Sequence, residues 1–437
     1  MCIRDRIITV RYPHYYKKFS CTGSRCEDTC CASWGVSIDP VSLRRYRNVN
    51  GEFGRRLKNS IDSKTGSFLQ KNGRCPFLNE GNLCDIYICL GEKSLCRTCR
   101  DFPRHREEYG PLREVSLSLA CPEAAGLILG EQETSGEKTG TDEFYLRRRR
   151  VRIEPGKAVP RLPFPGSIAR GGFERIPHEN PGLEADGRLL KQLIKVRNAF
   201  FTILSWEDTA IEDRMAMILA LAHDAQGRLR NRKGMRAEAG GRKNMDSLTA
   251  RYLLPENRAR YISRLTSYRR DGNGRVRDDL MCLYLELTDT LETVSEQWKN
   301  MVRRYTKLLY APEDGMGGPG GYEFHEMLNE LKAVYPAFDS DMAQLMRYFL
   351  YTNVLGAVYD GRLLAAVKMA VFNCLIIREI DLGIVAETGS FTRKEQILTT
   401  HLWSRQLEHS DYNLEKMERF MREHRALGIK KLMLCIG

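Results

Sequence analysis

Cysteine is the residue type best suited to chemistry in this sequence, and its distribution is uneven. Of 14 cysteines, ten lie between Cys21 and Cys121. The first group reads Cys21-x4-Cys26-x3-Cys30-Cys31, and the second begins with Cys75 and Cys84, continues through Cys89, Cys96 and Cys99, and ends at Cys121 before Pro122. Four thiolates satisfy a tetrahedral zinc ion or a [4Fe–4S] cube, so the ten suffice for one site with spares or for two. Spacing does not separate zinc from iron–sulfur. The C-x3-C-x2-C signature of radical chemistry is not met, because Ser33 stands where a third cysteine would follow Cys26 and Cys30. Cys282, Cys374 and Cys435 occur singly in apolar surroundings and read as buried free thiols.

The elements that must position these thiols can be read from their flanks. Ser24 and Glu27 form a capping-box pair that predicts a helix from Arg25, with Cys26 in its first turn and Cys30 one turn later on the same face. Cys31 then points about 100° away and serves a second partner. A turn at Asn79-Glu80-Gly81-Asn82 predicts a hairpin that brings Cys75 and Cys84 together. The segment 7–130 is thus expected to be a cysteine-rich, loop-rich metal-binding module with a short hairpin. Residues 131–187 turn polar and then rich in proline and glycine, which reads as a linker or surface insertion. From 188 to 437 apolar residues recur at three- and four-residue intervals, as in Leu189, Leu193, Val196 and Phe200, and again over 342–359 and 363–377. The remainder is expected to be all-helical and the whole chain mainly α. Gly315-Met316-Gly317-Gly318-Pro319-Gly320 matches G-x-G-x-x-G, but no strand precedes it, so it reads as a loop.

The formal charge is +13, and Arg147 to Arg150 are four consecutive arginines. That run lies between polar and Pro/Gly-rich text and reads as a solvated linker edge, without the interleaved aromatics of common RNA-binding modules. Nucleic acid is therefore not the expected partner, and an acidic protein surface explains the charge equally well. The most apolar stretch, 345–377, is interrupted by Arg347, Asp360, Arg362 and Lys368, so no membrane span is expected. The apolar run Ile7 to Val10 is too short for an export signal. These features lead to the expectation of a cytoplasmic protein whose thiols remain reduced and free to bind metal.

The text Phe19-Ser20-Cys21-Thr22-Gly23-Ser24-Arg25-Cys26-Glu27-Asp28-Thr29-Cys30-Cys31 with Trp34, then Cys75-Pro76-Phe77-Leu78, Leu83-Cys84-Asp85-Ile86, Cys99-Arg100-Asp101-Phe102-Pro103-Arg104 and Leu117-Ser118-Leu119-Ala120-Cys121-Pro122-Glu123, resembles the flagellin lysine N-methylase family. The N-terminal part of that family is akin to zinc- or iron-chelating CxxCxxCC-type domains. Ser404 to Leu414 resembles the family as well. The resemblance implies methyl transfer from S-adenosylmethionine to lysine side chains of flagellin, with an iron–sulfur cluster, 4Fe-4S in type and with zinc as the alternative, as cofactor. It maps Cys21, Cys26, Cys30, Cys31, Cys75, Cys84, Cys99 and Cys121 onto the family's metal-binding cysteines and leaves Cys89 and Cys96 unmapped. A lysine amine has a pKa near 10.4 and must lose a proton before it attacks a sulfonium methyl; Glu408 and His409 are the candidate acceptors. Residue types alone make Arg405, Glu408 and Asp411 an ordinary surface ion-pair network. No methyltransferase nucleotide fold is recognisable, and the S-adenosylmethionine site is unassigned. Two readings from other classes stand beside this one: a non-catalytic metal-chelating or metal-delivery module, and a zinc-structured nucleic-acid binder.

Overall fold

The computed structural model describes residues 6–32, 34–130, 147–153, 173–174, 185–234, 245–270, 274–310 and 323–437. The chain is mainly helical and divides into two compact units. The first comprises 1–128, 143–181 and 404–410, and the second 129–142, 182–403 and 411–437.

The first unit contains a mixed five-stranded sheet, which the pattern of residues does not announce. Its order is Arg147–Ile153, Arg6–Tyr12, Leu112–Leu117, Arg104–Tyr109 and Phe173–Glu174. The neighbours Arg6–Tyr12 and Leu112–Leu117 run parallel, whereas Arg104–Tyr109 and Leu112–Leu117 form an antiparallel hairpin in which Tyr109 faces Leu112. The four-arginine run is part of a strand that pairs antiparallel with Arg6–Tyr12, so it is not a linker edge. A run of arginines hides the strand signal because it lacks the apolar–polar alternation that marks a half-buried strand. The remainder of the stretch from 131 to 184, apart from the strands Arg147–Ile153 and Phe173–Glu174, lies outside the described residues, as does the glycine string at 315–320.

Beside the sheet, short elements surround a small apolar core of Trp34, Val36, Ile38, Tyr46, Leu57, Phe68, Phe77 and Ile86. The helix Pro40–Arg47 starts at Asp39, whose Oδ1 accepts from the amides of Val41 at 3.1 Å and Ser42 at 3.0 Å, with Pro40 at the first helical position where its missing N–H costs nothing. The module therefore has a core of its own and does not depend on loops alone.

The second unit is helical throughout its described residues. Its centre is the helix Leu363–Thr388, in which 20 residues are buried, Lys368, Arg378, Glu379 and Asp381 among them. Helices Ile211–Gly234, Glu296–Tyr310, Phe338–Asn353 and Asp411–Glu423 pack around it. A helix that is apolar on every side must be surrounded, and here the surroundings are other helices that also shelter four ionisable groups. Among the described residues no helix is long and apolar enough to cross a membrane. Gly383 permits a very close crossing: a Cβ there would meet Tyr305 Cγ at 2.5 Å.

Candidate metal centre

The cysteine loop begins differently from the capping-box expectation. Gly23 has φ +61°, residues 23–25 form one 3-10 turn, and Cys26 is extended at φ −67°, ψ 130°. No helix runs from Arg25 through Cys30, so Cys26 and Cys30 do not share a helical face. A left-handed glycine two residues before the expected first turn redirects the backbone, and Ser24 is spent inside the 3-10 turn instead of capping a helix. The Cys26 thiol donates to the Asp28 carbonyl at 2.6 Å, and the Cys21 sulfur accepts from the Gly23 amide at 3.4 Å.

The second group follows its expected geometry. Asn79 accepts from the amides of Gly81 and Leu83, Asn82 takes φ +55°, and Leu78 pairs with Cys84 across the turn. Asparagine tolerates this left-handed position better than most residues. Cys75 then joins the first group, because its amide donates to the Cys31 carbonyl at 2.8 Å. The short helix Arg97–Asp101 carries Cys99 and begins after Cys96; Asp39 Oδ2 accepts from the Arg97 amide at 2.9 Å and Thr98 Oγ1 donates to the Ser37 carbonyl at 2.8 Å. Cys31, Cys75, Cys84, Cys96 and Cys99 consequently all pack on the same apolar core.

Cys96 is a residue that the resemblance leaves unmapped. It is fully buried, and its thiol is hydrogen-bonded to Cys99. The Cys96-x2-Cys99 spacing is the available signal, since a two-residue gap lets both sulfurs reach one centre. Cys89 is exposed and does not belong to the apolar cluster. Cys282, Cys374 and Cys435 belong to the second unit; Cys374 and Cys435 are buried as expected, whereas Cys282 is only half-buried.

Electrostatics distinguishes the thiols. The hydrogen bond from Cys30 holds the Cys31 thiol down at about 7, helped by Thr29 and by the Arg405 and Arg74 cations, while the same hydrogen bond pushes Cys30 well above the ordinary thiol range. Cys96 and Cys99 divide in the same way, with Cys96 lowered by its bond to Cys99 and Cys99 raised. Burial pushes Cys75 and Cys121 up to about 12 and Cys84 to about 11. A thiol becomes a ligand only after losing its proton, and a bound metal drives that loss.

The donor set fits a thiolate-bound metal in chemical type, since the clustered sulfurs other than Cys89 lie near enough to feel one another's charge. Among the described residues, however, no three His, Cys, Asp or Glu side chains are gathered tightly enough to hold one ion. The thiols are instead turned into hydrogen-bonded pairs, Cys30 with Cys31 and Cys96 with Cys99. Ligation therefore requires the side chains to rotate out of these pairs.

Residues 404–410, the end of the helix Arg393–Glu408 and the turn after it, belong to this unit and grip the cysteine loop. Arg405 is buried, pairs with the Asp28 carboxylate, and donates to the carbonyls of Thr29 at 2.9 Å and Ala32 at 2.5 Å. It is therefore not part of a surface ion-pair network with Glu408 and Asp411. Glu408 accepts from Ser118 Oγ at 2.6 Å and from Ser404 Oγ at 2.6 Å. His409 stacks on Trp34 at 4.6 Å between ring centres and meets Phe102 edge-on at 5.5 Å, and Trp34 Nε1 donates to the Cys30 carbonyl at 2.7 Å. Desolvation, with the nearby Arg405 cation, lowers His409 to about 3, so the ring is neutral at pH 7. Glu408 and His409 thus stand next to residues that brace the cysteine loop, one as a hydrogen-bond acceptor and the other as an aromatic plate.

Residues 197–435 match the model of the FliB lysine N-methylase C-terminal domain. The flagellar biosynthetic protein FliU of Salmonella muenchen is 34% identical over 157 residues, which cover 32% of this chain and 90% of that protein. A lysine-N-methylase of Salmonella typhimurium and one of Salmonella choleraesuis are each 35% identical over 144 residues, covering 30% of this chain and 36% of theirs. The alignment thus spans about a third of the length of those two methylases. No solved structure matches the chain. With its family model covering more than half of the sequence, the chain belongs to the FliB lysine N-methylase family.

Proposed function

We propose that this protein transfers methyl groups from S-adenosylmethionine to lysine side chains of flagellin, and that its cysteine module holds a thiolate-bound iron–sulfur cluster or zinc. The observation that carries the reading is the family match over the helical unit, combined with the packing of residues 404–410 against the cysteine loop within one compact unit.

In the transfer step the neutral lysine nitrogen attacks the methyl carbon, the sulfonium carbon–sulfur bond breaks, and S-adenosylhomocysteine leaves. The amine's proton must go to a base. Glu408 is the proposed acceptor, because two serine hydroxyls fix its carboxylate while leaving the group partly accessible. His409 is a poor base with its pKa pushed to about 3, and its role in this reading is to hold the Trp34 and Phe102 faces that support the loop. A metal or cluster bound by the thiolates would supply cross-links that order the loop from Cys21 to Cys31. The +13 charge supports docking to an acidic protein surface.

The test is incubation of the anaerobically purified protein with flagellin and S-adenosylmethionine, followed by peptide mass spectrometry. Methylated lysines are expected. Glu408→Gln should keep the metal content and lower the rate by about 100-fold or more, the range for losing a general base. Absence of any methyl increment with metal-replete protein favours the non-catalytic chelating module.

A further inference from the structure

The helical unit contains a pocket that the proposed chemistry does not use. Four helices meet there. Gly274–Asp289 supplies Arg277 and Asp278, Glu296–Tyr310 ends on it with Tyr310, Phe324–Val334 begins on it with Phe324, and Leu363–Thr388 supplies Glu379. Leu309, Met327 and Leu382 form its apolar wall. The pocket is half-open and comprises about 280 Å³ with its mouth included, while its enclosed part admits only a head group about the size of one or two water molecules.

An ion network forms the polar side. Glu379 is buried, accepts from the Tyr310 hydroxyl at 2.5 Å and from Arg378 at 3.1 Å, and pairs with Arg277. Its carboxylate is thus fully engaged, and it holds Arg277 in place. The Arg277 guanidinium lies 3.5 Å from the centre of the Phe324 ring and donates one terminal nitrogen to Asp278 Oδ1 at 2.9 Å. Arg277 is only 8% exposed, and its Nε is buried without a hydrogen-bond acceptor among the described residues. Asp278 is half-buried and gives Arg277 its Oδ1 alone, which leaves Oδ2 open to a further donor.

A buried N–H with no acceptor is costly unless something in the pocket accepts from it. The charges decide what kind of group that is. Arg277 and Arg378 already balance Asp278 and Glu379, so a bare anion or a bare cation would bury a net charge. A zwitterion adds none, because its carboxylate answers the Arg277 donor and its ammonium answers the Asp278 oxygen.

We propose that this pocket binds the α-amino-acid head of a small ligand, with its carboxylate on Arg277, its ammonium on Asp278 and an apolar stem against Leu309, Met327 and Leu382. Free methionine and the methionyl end of S-adenosylmethionine share this head. The inference goes beyond the methyl-transfer reading and stands without it.

The experiment is isothermal titration calorimetry of the full metal-replete chain with L-methionine and with S-adenosylhomocysteine. Saturable binding of at least one is expected. 3-(Methylthio)propylamine, 4-(methylthio)butanoic acid and 5′-methylthioadenosine, which lack the carboxylate, the amine or the whole head, should bind about tenfold or more weakly. Binding of methionine but not S-adenosylhomocysteine identifies a free amino acid as the ligand; tighter binding of S-adenosylhomocysteine identifies the methyl donor. Asp278→Asn changes one half-exposed oxygen to nitrogen and should weaken binding by about tenfold with its thermal unfolding unchanged. Arg277→Lys, which keeps the charge facing Glu379 but lacks Nε, should do the same. Should the lysine variant fail to fold, Asp278→Asn decides alone. Saturable binding of neither compound, equal affinity for the truncated analogues, or full affinity in Asp278→Asn overturns the proposal. Methylation of flagellin with full affinity in that variant would defeat this inference alone, and head-dependent binding without methylation would defeat the enzymatic reading alone.

Discussion

Arg405 shows how a single side chain can tie a distant segment to the cysteine loop. Its guanidinium meets one carboxylate and two carbonyls of residues 28–32, an arrangement that uses the planar fork of arginine and that a lysine cannot reproduce. Arg405→Met should destabilise the first unit by about 2–3 kcal/mol, because hydrogen bonds to a charged donor are lost and Asp28 loses this cation. Urea titration followed by tryptophan fluorescence checks this, and an unchanged midpoint would remove Arg405 from the loop's support. Lys368 gives a test of a different kind in the helical unit. It is buried in the central helix, donates to the Met421 carbonyl, and burial lowers its pKa from 10.5 to about 8. Between those two values the unfolded chain keeps a proton that the folded chain has released, so stability contributed at this site rises with pH from about 8 to about 10.5. Lys368→Met should be more stable than the parent at pH 7, and the difference should shrink as pH rises through that window, by up to about 3 kcal/mol at 1.36 kcal/mol per pKa unit. A constant difference across the window would contradict the burial account.

At the scale of elements, the long helices are readable because burial imposes a period that composition preserves. Gly187–Leu204 shows this, with Leu190, Leu193, Val196, Phe200 and Ile203 on its buried face; Leu363–Thr388 is instead buried on every side, and its interior charges argue against a membrane span from the residues alone. The Cys75–Cys84 hairpin is readable for a local reason, since the turn residues carry the conformational preference themselves. Two elements escape for equally physical reasons. The expected helix at Arg25 does not form because a capping box describes only a helix end, and Gly23 at φ +61° has already turned the chain. The sheet escapes because its partners, 6–12, 104–117 and 147–153, are distant in sequence and because one strand is mostly arginine. Gly383 illustrates a packing demand that one sequence conceals, since an isolated glycine in a helix is only mildly unfavourable by itself. Here it admits Tyr305, and Gly383→Ala should cost about 1–3 kcal/mol by forcing the Glu296–Tyr310 helix away. Thermal unfolding measures it; a neutral or stabilising alanine would show that the two helices separate without cost.

At the scale of the molecule, residue types are more legible than their placement. Ten cysteines in the 101 residues from Cys21 to Cys121 raise the expectation of a metal module by composition alone, and the family resemblance maps eight of them. Cys96 is left unmapped by that resemblance although its spacing to Cys99 is visible, and both residues pack on the small apolar core. The family resemblance, and not residue type, puts Glu408 and His409 forward for proton transfer. Their placement beside the cysteine loop, held by Ser118, Ser404, Trp34 and Phe102, is a property of the fold that residue types cannot express.

The central claim is that this chain moves a methyl group from S-adenosylmethionine to flagellin lysines in a manner that needs its cysteine loop. The most direct measurement supplies S-adenosylmethionine carrying a deuterated methyl group to the metal-replete protein and its Cys30→Ser/Cys31→Ser variant, each with flagellin, and reads lysine peptides by mass spectrometry. The account predicts deuterated methyl on flagellin lysines with the parent protein and none with the variant. Unlabelled lysines in both reactions, or equal labelling in both, would contradict it.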